Sequence, residues 1–364
     1  MRVLLFLAVS LGAASAAAGQ TGGTTTDSAS YALTSVTLID GTGAPARPGT
    51  TIVVTGDRIA DVFPDGSRPL PPGARTPNVT GRYVIPGLID THVHLATDPS
   101  NDDSLPLTER KLRSALLGGI TTVRDMAGDA RQLGFLARAA AVGDIASPSI
   151  YYSALFAGPD FFTDPRVHST SAAVTLGEAP WARSVTLLAF EIDSAPPDWR
   201  RRNRLDYAKI PANDSTLDRL LRSMAARGTI FEPTLFVYWT RDSTSAALRW
   251  GAAITRRANQ VGVAISAGTD MMVGNEADIQ DSPPHLQQEL ALLVRAGLTP
   301  GQALVAATST AARVIGVDSL VGTVTAGKYA DLVVLTADPL ADISNTRRIE
   351  MVVHRGVVYR QGVR

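Results

Sequence analysis

At 364 residues and 45% hydrophobic composition, the chain can bury one large domain and a small one, which excludes a short binding module. Its 34 Lys and Arg balance its 34 Asp and Glu, so there is no electrostatic footprint for nucleic acid or an anionic membrane, and a small-molecule partner is expected. There is no cysteine, which excludes disulfides, thiolate zinc sites and cysteine nucleophiles and leaves His, Asp, Glu or a modified Lys as metal ligands.

The chain opens on MRVLLFLAVSLGAASAAAGQ, with Arg2, an apolar run over residues 3–11, and small residues at Ala14, Ala16 and Ala18. This pattern predicts a cleaved export signal over 1–18, hence a periplasmic or secreted protein. The apolar run is shorter than the roughly 20 residues that span a bilayer. A Gly/Thr/Ser-rich stretch over 19–30 predicts a flexible linker. SVTLIDG and TTIVVTGDRIADVFP then alternate apolar and polar residues, as half-buried antiparallel strands do. Near the other end ADLVVLTADP and IEMVVHRGVVYRQG repeat that pattern, with Arg355 and Gly356 at a hairpin turn. Residues 31–84 and 318–364 are therefore expected to combine into one small β-sandwich domain.

Between them, over 85–317, apolar strand-like runs alternate with helical ones such as KLRSALLGG, STLDRLLRSMAARG and HLQQELALLVRAG. That alternation predicts an α/β domain with a parallel sheet and crossover helices. Candidate strands lie at 83–94, 120–125, 149–155, 185–191, 229–238 and 263–269.

The segment VIPGLIDTHVHL carries the strongest chemical signal. Strand side chains two apart share a face, so Asp90, His92 and His94 point one way and two imidazoles converge. Two neutral imidazoles suit zinc or a similar divalent ion, although a bare His-x-His also fits core or surface histidines. Asp90 fits either an outer partner that orients a ligand or a buried pairing and capping role. Asp270, at the end of GVAISAGTD, reads by itself as a turn or helix-capping residue.

The run PGLIDTHVH followed by GITTVRDM resembles the first two barrel strands of the amidohydrolase superfamily. ISAGTD resembles its last barrel strand, LTPGQALVAATSTAARVIG the helix that follows, VGTVTAGKYADLVVLTADPL the return to the small sheet domain, and PTLFVYW the penultimate strand. The likeness is closest to the imidazolonepropionase-like and prolidase-like branch. It implies a TIM-type (β/α)8 barrel and a divalent metal, zinc, held by His92, His94 and Asp270. It further implies hydrolysis of C–N bonds, with Asp270 as the catalytic proton carrier.

One part of the pattern is missing. The family's fourth strand supplies a carboxylated lysine or an acidic ligand, and its fifth and sixth strands each supply a histidine. None of the three is found. Lys111 reads as helical, Lys328 as part of a turn, and Lys209 follows the candidate strand at 185–191 instead of lying on it. His168 falls in a polar loop, His285 near a helix start and His354 in the terminal hairpin. Three complete βα units need on the order of 90 residues, more than the stretch 157–227 offers. The barrel is therefore expected to be incomplete, lacking strands four, five and most of six, with a junction near Thr186. Such a barrel holds one ion and not two, and its unpaired strand edges favour self-association. The alternatives are a catalytically impaired or inactive binding scaffold of the same fold, or a deletion remnant.

Overall fold

A computed structural model describes residues 30–95, 105–128, 130–154, 215–272 and 285–360. The export signal, most of the linker, the candidate strand at 185–191, His168, Lys209 and the expected deletion lie outside the described residues.

The strands of both chain ends meet in one sheet. They are β1 (Ser30–Leu38), β2 (Arg47–Thr55), β3 (Arg58–Pro64), β4 (Tyr83–Pro86), β11 (Leu332–Leu335), β12 (Ile349–His354) and β13 (Val357–Tyr359). Hydrogen bonding joins these seven in the order β13-β12-β11-β4-β1-β2-β3, where two stacked sheets were expected. The reason lies in β4, which pairs in parallel with β1 (Leu38 opposite Val84) and antiparallel with β11 (Val334 opposite Val84), so it joins the two halves into a continuous sheet.

All four residues of β11 are buried, as in a strand covered on both faces. Leu332 and Val334 pack with Val84, Ile52 and Val353, whereas Val333 and Leu335 pack with Ile85 in the core of the larger domain. The hairpin between β12 and β13 is as expected: Arg355 and Gly356 take φ of 47° and 75°, the two positive values that a tight I′ turn requires.

The larger domain is a parallel arc. Strands β5 (Leu88–His94), β6 (Ile120–Gly128) and β7 (Ser149–Ala154) pair in sequence, with crossover helices α1 (Leu105–Leu117) and α2 (Ala130–Val142) between them. On the other side of β5 runs the segment 264–272, which contains β9 (Ala264–Ile265) and β10 (Met271–Met272). Its first part pairs with β8 (Ile230–Phe231), and its last part pairs with β5. Between these two pairings, Ser266 N–H donates to Phe231 O at 2.9 Å, Thr91 N–H to Ala267 O at 3.2 Å and Asp270 N–H to His92 O at 2.8 Å. The order is thus β8, the 264–272 segment, β5, β6, β7. The stretch in which closing strands would fall, 155–214, lies outside the described residues.

The candidate strand at 229–238 stops at Phe231. Pro233 interrupts it, and residues Leu235–Arg241 form a helix, here α4, preceded by α3 (Ser215–Ala226). Thr234, in left-handed conformation with φ 45°, gives that helix no side-chain cap. The cap comes from Glu289 on helix α6 (Leu286–Arg295), which follows α5 (Ala246–Gln260). Its Oε1 accepts from Leu235 N–H at 3.2 Å and its Oε2 from Phe236 N–H at 2.6 Å. These are orphan donors of the first helical turn, so a distant carboxyl group overrides the strand propensity of a Leu-Phe-Val-Tyr-Trp run.

Glu289 is fully buried, and burial raises its pKa to about 8 against the two backbone hydrogen bonds that lower it. Glu289→Ala, which strands two buried N–H groups, is expected to destabilise the fold by about 2–4 kcal/mol in chemical denaturation. The acid titrates near 4.5 when unperturbed and at about 8 in the fold. Its contribution is therefore complete below the lower value and lost as pH rises through the upper one. Glu289→Gln is expected to flatten that part of the stability profile; an unchanged profile would show that burial does not hold the proton.

Candidate metal centre

His92 and His94 lie at the carboxyl end of β5, where a parallel arc exposes its site-building edge. The 264–272 segment lies against them because Gly268 has no side chain: a Cβ there would stand 2.8 Å from His92 Cβ and 2.9 Å from Glu232 Cδ. Two residues on, Asp270 takes a left-handed conformation with φ 52°, a strained geometry for a residue with a Cβ. The result places Asp270 Oδ1 3.3 Å from His92 Nε2 and 3.1 Å from His94 Nε2.

One ligand atom from each of the three residues lies within 4.8 Å of the other two. A tetrahedral zinc with bonds of about 2.0–2.2 Å needs ligand atoms roughly 3.4 Å apart, so small side-chain shifts bring all three onto one ion. Two imidazole nitrogens and one carboxylate oxygen are a donor set suited to a divalent metal. The residues present therefore fit such an ion. The three predicted ligands, His92, His94 and Asp270, are brought together.

Among the described residues Asp90 accepts hydrogen bonds from backbone and hydroxyl donors. It is buried and does not touch an imidazole ring; instead it accepts from Thr269 Oγ1 at 2.8 Å, Thr269 N–H at 3.1 Å and His92 N–H at 3.2 Å. It thereby ties the backbones that carry two of the ligands. Burial raises its pKa to about 7 against these hydrogen bonds.

Glu232, which the sequence did not single out, stands directly behind His92. Its Oε1 lies 2.9 Å from His92 Nδ1, and its Oε2 accepts from Thr91 Oγ1 and lies 3.7 Å from Arg124 Nη2. The signal available was the carboxylate of TIFEPT, at the end of a strand too short to show periodicity. Burial by itself would raise the pKa values of Glu232 and Asp270. Hydrogen bonds from His92 and Thr91 and the charges of His92 and Arg124 outweigh it at Glu232, and its pKa is lowered. At Asp270 the hydrogen bond from His94 and the charges of His92, His94 and Arg241 do the same. At His92, burial pushes down while Glu232, Asp270 and Asp90 together push its pKa up.

The remaining candidates lie elsewhere. His354 Nδ1 pairs with buried Asp331 at 3.0 Å under the terminal hairpin. His285 lies tilted against Phe236 with ring centroids 4.7 Å apart at the start of α6. Lys111 is buried on α1, and Lys328 donates to backbone carbonyls of Asp318 and Val321.

The fold agrees with comparisons to known proteins. The chain is 26% identical to an adenine deaminase of Rubrobacter xylanophilus over 362 residues, covering 90% of this chain and 57% of that protein. It is 49% identical to an adenine deaminase of Cenarchaeum symbiosum over 47 residues, or 13% of this chain and 8% of that one. The chain thus spans little more than half the length of the first relative. Among solved structures, a Xaa-Pro dipeptidase superposes with a TM-score of 0.67 at 18% identity, covering 91% of this chain and all (100%) of that one. Molinate hydrolase superposes at 0.66 and 19%, covering 92% and 95%. An ochratoxinase of A. niger superposes at 0.65 and 19%, covering 92% and 97%. A model of the amidohydrolase family matches residues 83–190 and 202–358. His92, His94, Asp270, the whole of the arc and the sheet strands β4, β11 and β12 lie inside that match, and the chain belongs to the amidohydrolase family.

Proposed function

We propose that the protein is a metal-dependent hydrolase of C–N bonds, acting on an amide, a cyclic amide or a dipeptide, with one zinc ion held by His92, His94 and Asp270. The observation that carries this is the meeting of both imidazole Nε2 atoms on one carboxylate oxygen, at 3.3 and 3.1 Å. The names of the relatives, a dipeptidase, a hydrolase and a deaminase, support the reaction class. Among the described residues one group of three metal-ligating side chains is found, which supports a single ion.

A divalent ion in such a site supplies Lewis acidity, polarising a carbonyl group and bringing the pKa of water down to about 7. Asp270 moves the proton. Its lowered pKa keeps the carboxylate ionised near neutrality, and a third of its side chain remains accessible. It accepts a proton from the attacking water as the C–O bond forms and returns it to the nitrogen as the C–N bond breaks. Asp90 supports this step by holding the Thr269 backbone next to Asp270. On such a fold, loops outside the strands set the pocket that selects the substrate. With an export signal at 1–18, the protein acts outside the cytoplasm on scavenged small molecules.

A second reading, a binding scaffold without turnover, is favoured by the short stretch 157–227 and its lack of the family's remaining ligands. Elemental analysis and assay on a panel of dipeptides and cyclic amides separate the two. The purified full chain is expected to hold about one zinc ion, and His92→Ala or His94→Ala to bring that near zero. Asp270→Asn is expected to lower turnover by at least about 100-fold. A metal-free wild-type protein whose activity survives His92→Ala would overturn the hydrolase reading; metal without turnover across the panel would favour the scaffold.

A further inference from the structure

We infer that Glu232 is the positioning residue that sets the tautomer and aim of His92, with Arg124 as its fixed counter-charge. This rests on the metal reading above and concerns a residue that acts through His92. The argument begins with what a carboxylate can do. Ionised, it offers lone pairs and no proton, so at 2.9 Å from His92 Nδ1 it is the acceptor and Nδ1 is the donor. In the neutral imidazole the other nitrogen then carries the lone pair. That nitrogen, Nε2, is the atom turned toward Asp270.

Three strands hold Glu232 in place. It leaves the end of β8; Thr91 on β5 donates to its Oε2; and Arg124 on β6 lies 3.7 Å from the same oxygen. Arg124 is itself pinned, since its Nε donates to Thr91 O at 2.8 Å. Gly268 closes the fourth side, leaving space for the carboxyl group and none for a side chain of its own. His94 provides the contrast. Its Nδ1 is buried and has no hydrogen-bond partner among the described residues, and its carboxylate contact is with Asp270 at Nε2, so no group behind the ring holds it as Glu232 holds His92. The centre is therefore asymmetric, with His92 aligned before the metal arrives.

The test is zinc affinity of the metal-stripped full chain, measured by competition with a chromogenic chelator, alongside thermal unfolding of the metal-free protein. Glu232→Gln keeps the size of the side chain and removes its charge. It is expected to weaken zinc binding about 10–100-fold, the usual effect of losing such an outer partner. If the single variant strands Arg124 and melts early, Glu232→Gln combined with Arg124→Met removes both charges. The double variant is expected to recover stability while its affinity stays low. Unchanged affinity in Glu232→Gln, or affinity that returns together with stability in the double variant, would overturn the inference. A wild-type chain that binds no zinc would instead overturn the metal reading itself, and this inference with it.

Discussion

The approach of one backbone segment to the end of one strand organises the whole site. The 264–272 segment contacts β5 through Thr91 N–H to Ala267 O and Asp270 N–H to His92 O. Asp90 adds a third tie by accepting from both backbones. Gly268 permits the distance, and the left-handed Asp270 turns the carboxylate over the imidazoles. A strained φ of this kind costs on the order of 1–3 kcal/mol, and the surrounding hydrogen bonds hold it there.

The same closeness concentrates negative charge. Asp90, Glu232 and Asp270 surround His92, and Glu289 lies near enough to Asp90 and Glu232 to feel both. The four acids divide by environment. Glu232 and Asp270, facing imidazoles and arginines, have lowered pKa values; Asp90 and Glu289, supported mainly by backbone and hydroxyl donors, have raised ones. Acids of the first kind face the imidazole rings, while those of the second hold backbone in place. A cation among the first pair is the charge that this arrangement accommodates best.

How much of this was legible depended on the length of the repeating pattern. His92 and His94 were readable because they sit two apart on a seven-residue strand, and Asp270 because GTD closes a familiar strand ending. The terminal hairpin was readable from Arg355-Gly356. Glu232 was not, since its strand has two residues and no alternation to show. The helix at Leu235–Arg241 reads as strand in the sequence because its β-branched and aromatic residues favour one locally; the cap supplied by Glu289, 53 residues beyond Phe236, decides otherwise. Likewise the single sheet of the small domain depends on β4, four residues that alone show no preference between one layer and two.

A crystal structure of the zinc-loaded protein, with the ion located by its anomalous scattering, bears on the central claim most directly. The account predicts one peak about 2.0–2.2 Å from His92 Nε2, His94 Nε2 and a carboxylate oxygen of Asp270, with Glu232 still on His92 Nδ1. An ion bound elsewhere, or bound through His92 Nδ1 with Glu232 displaced, would contradict it.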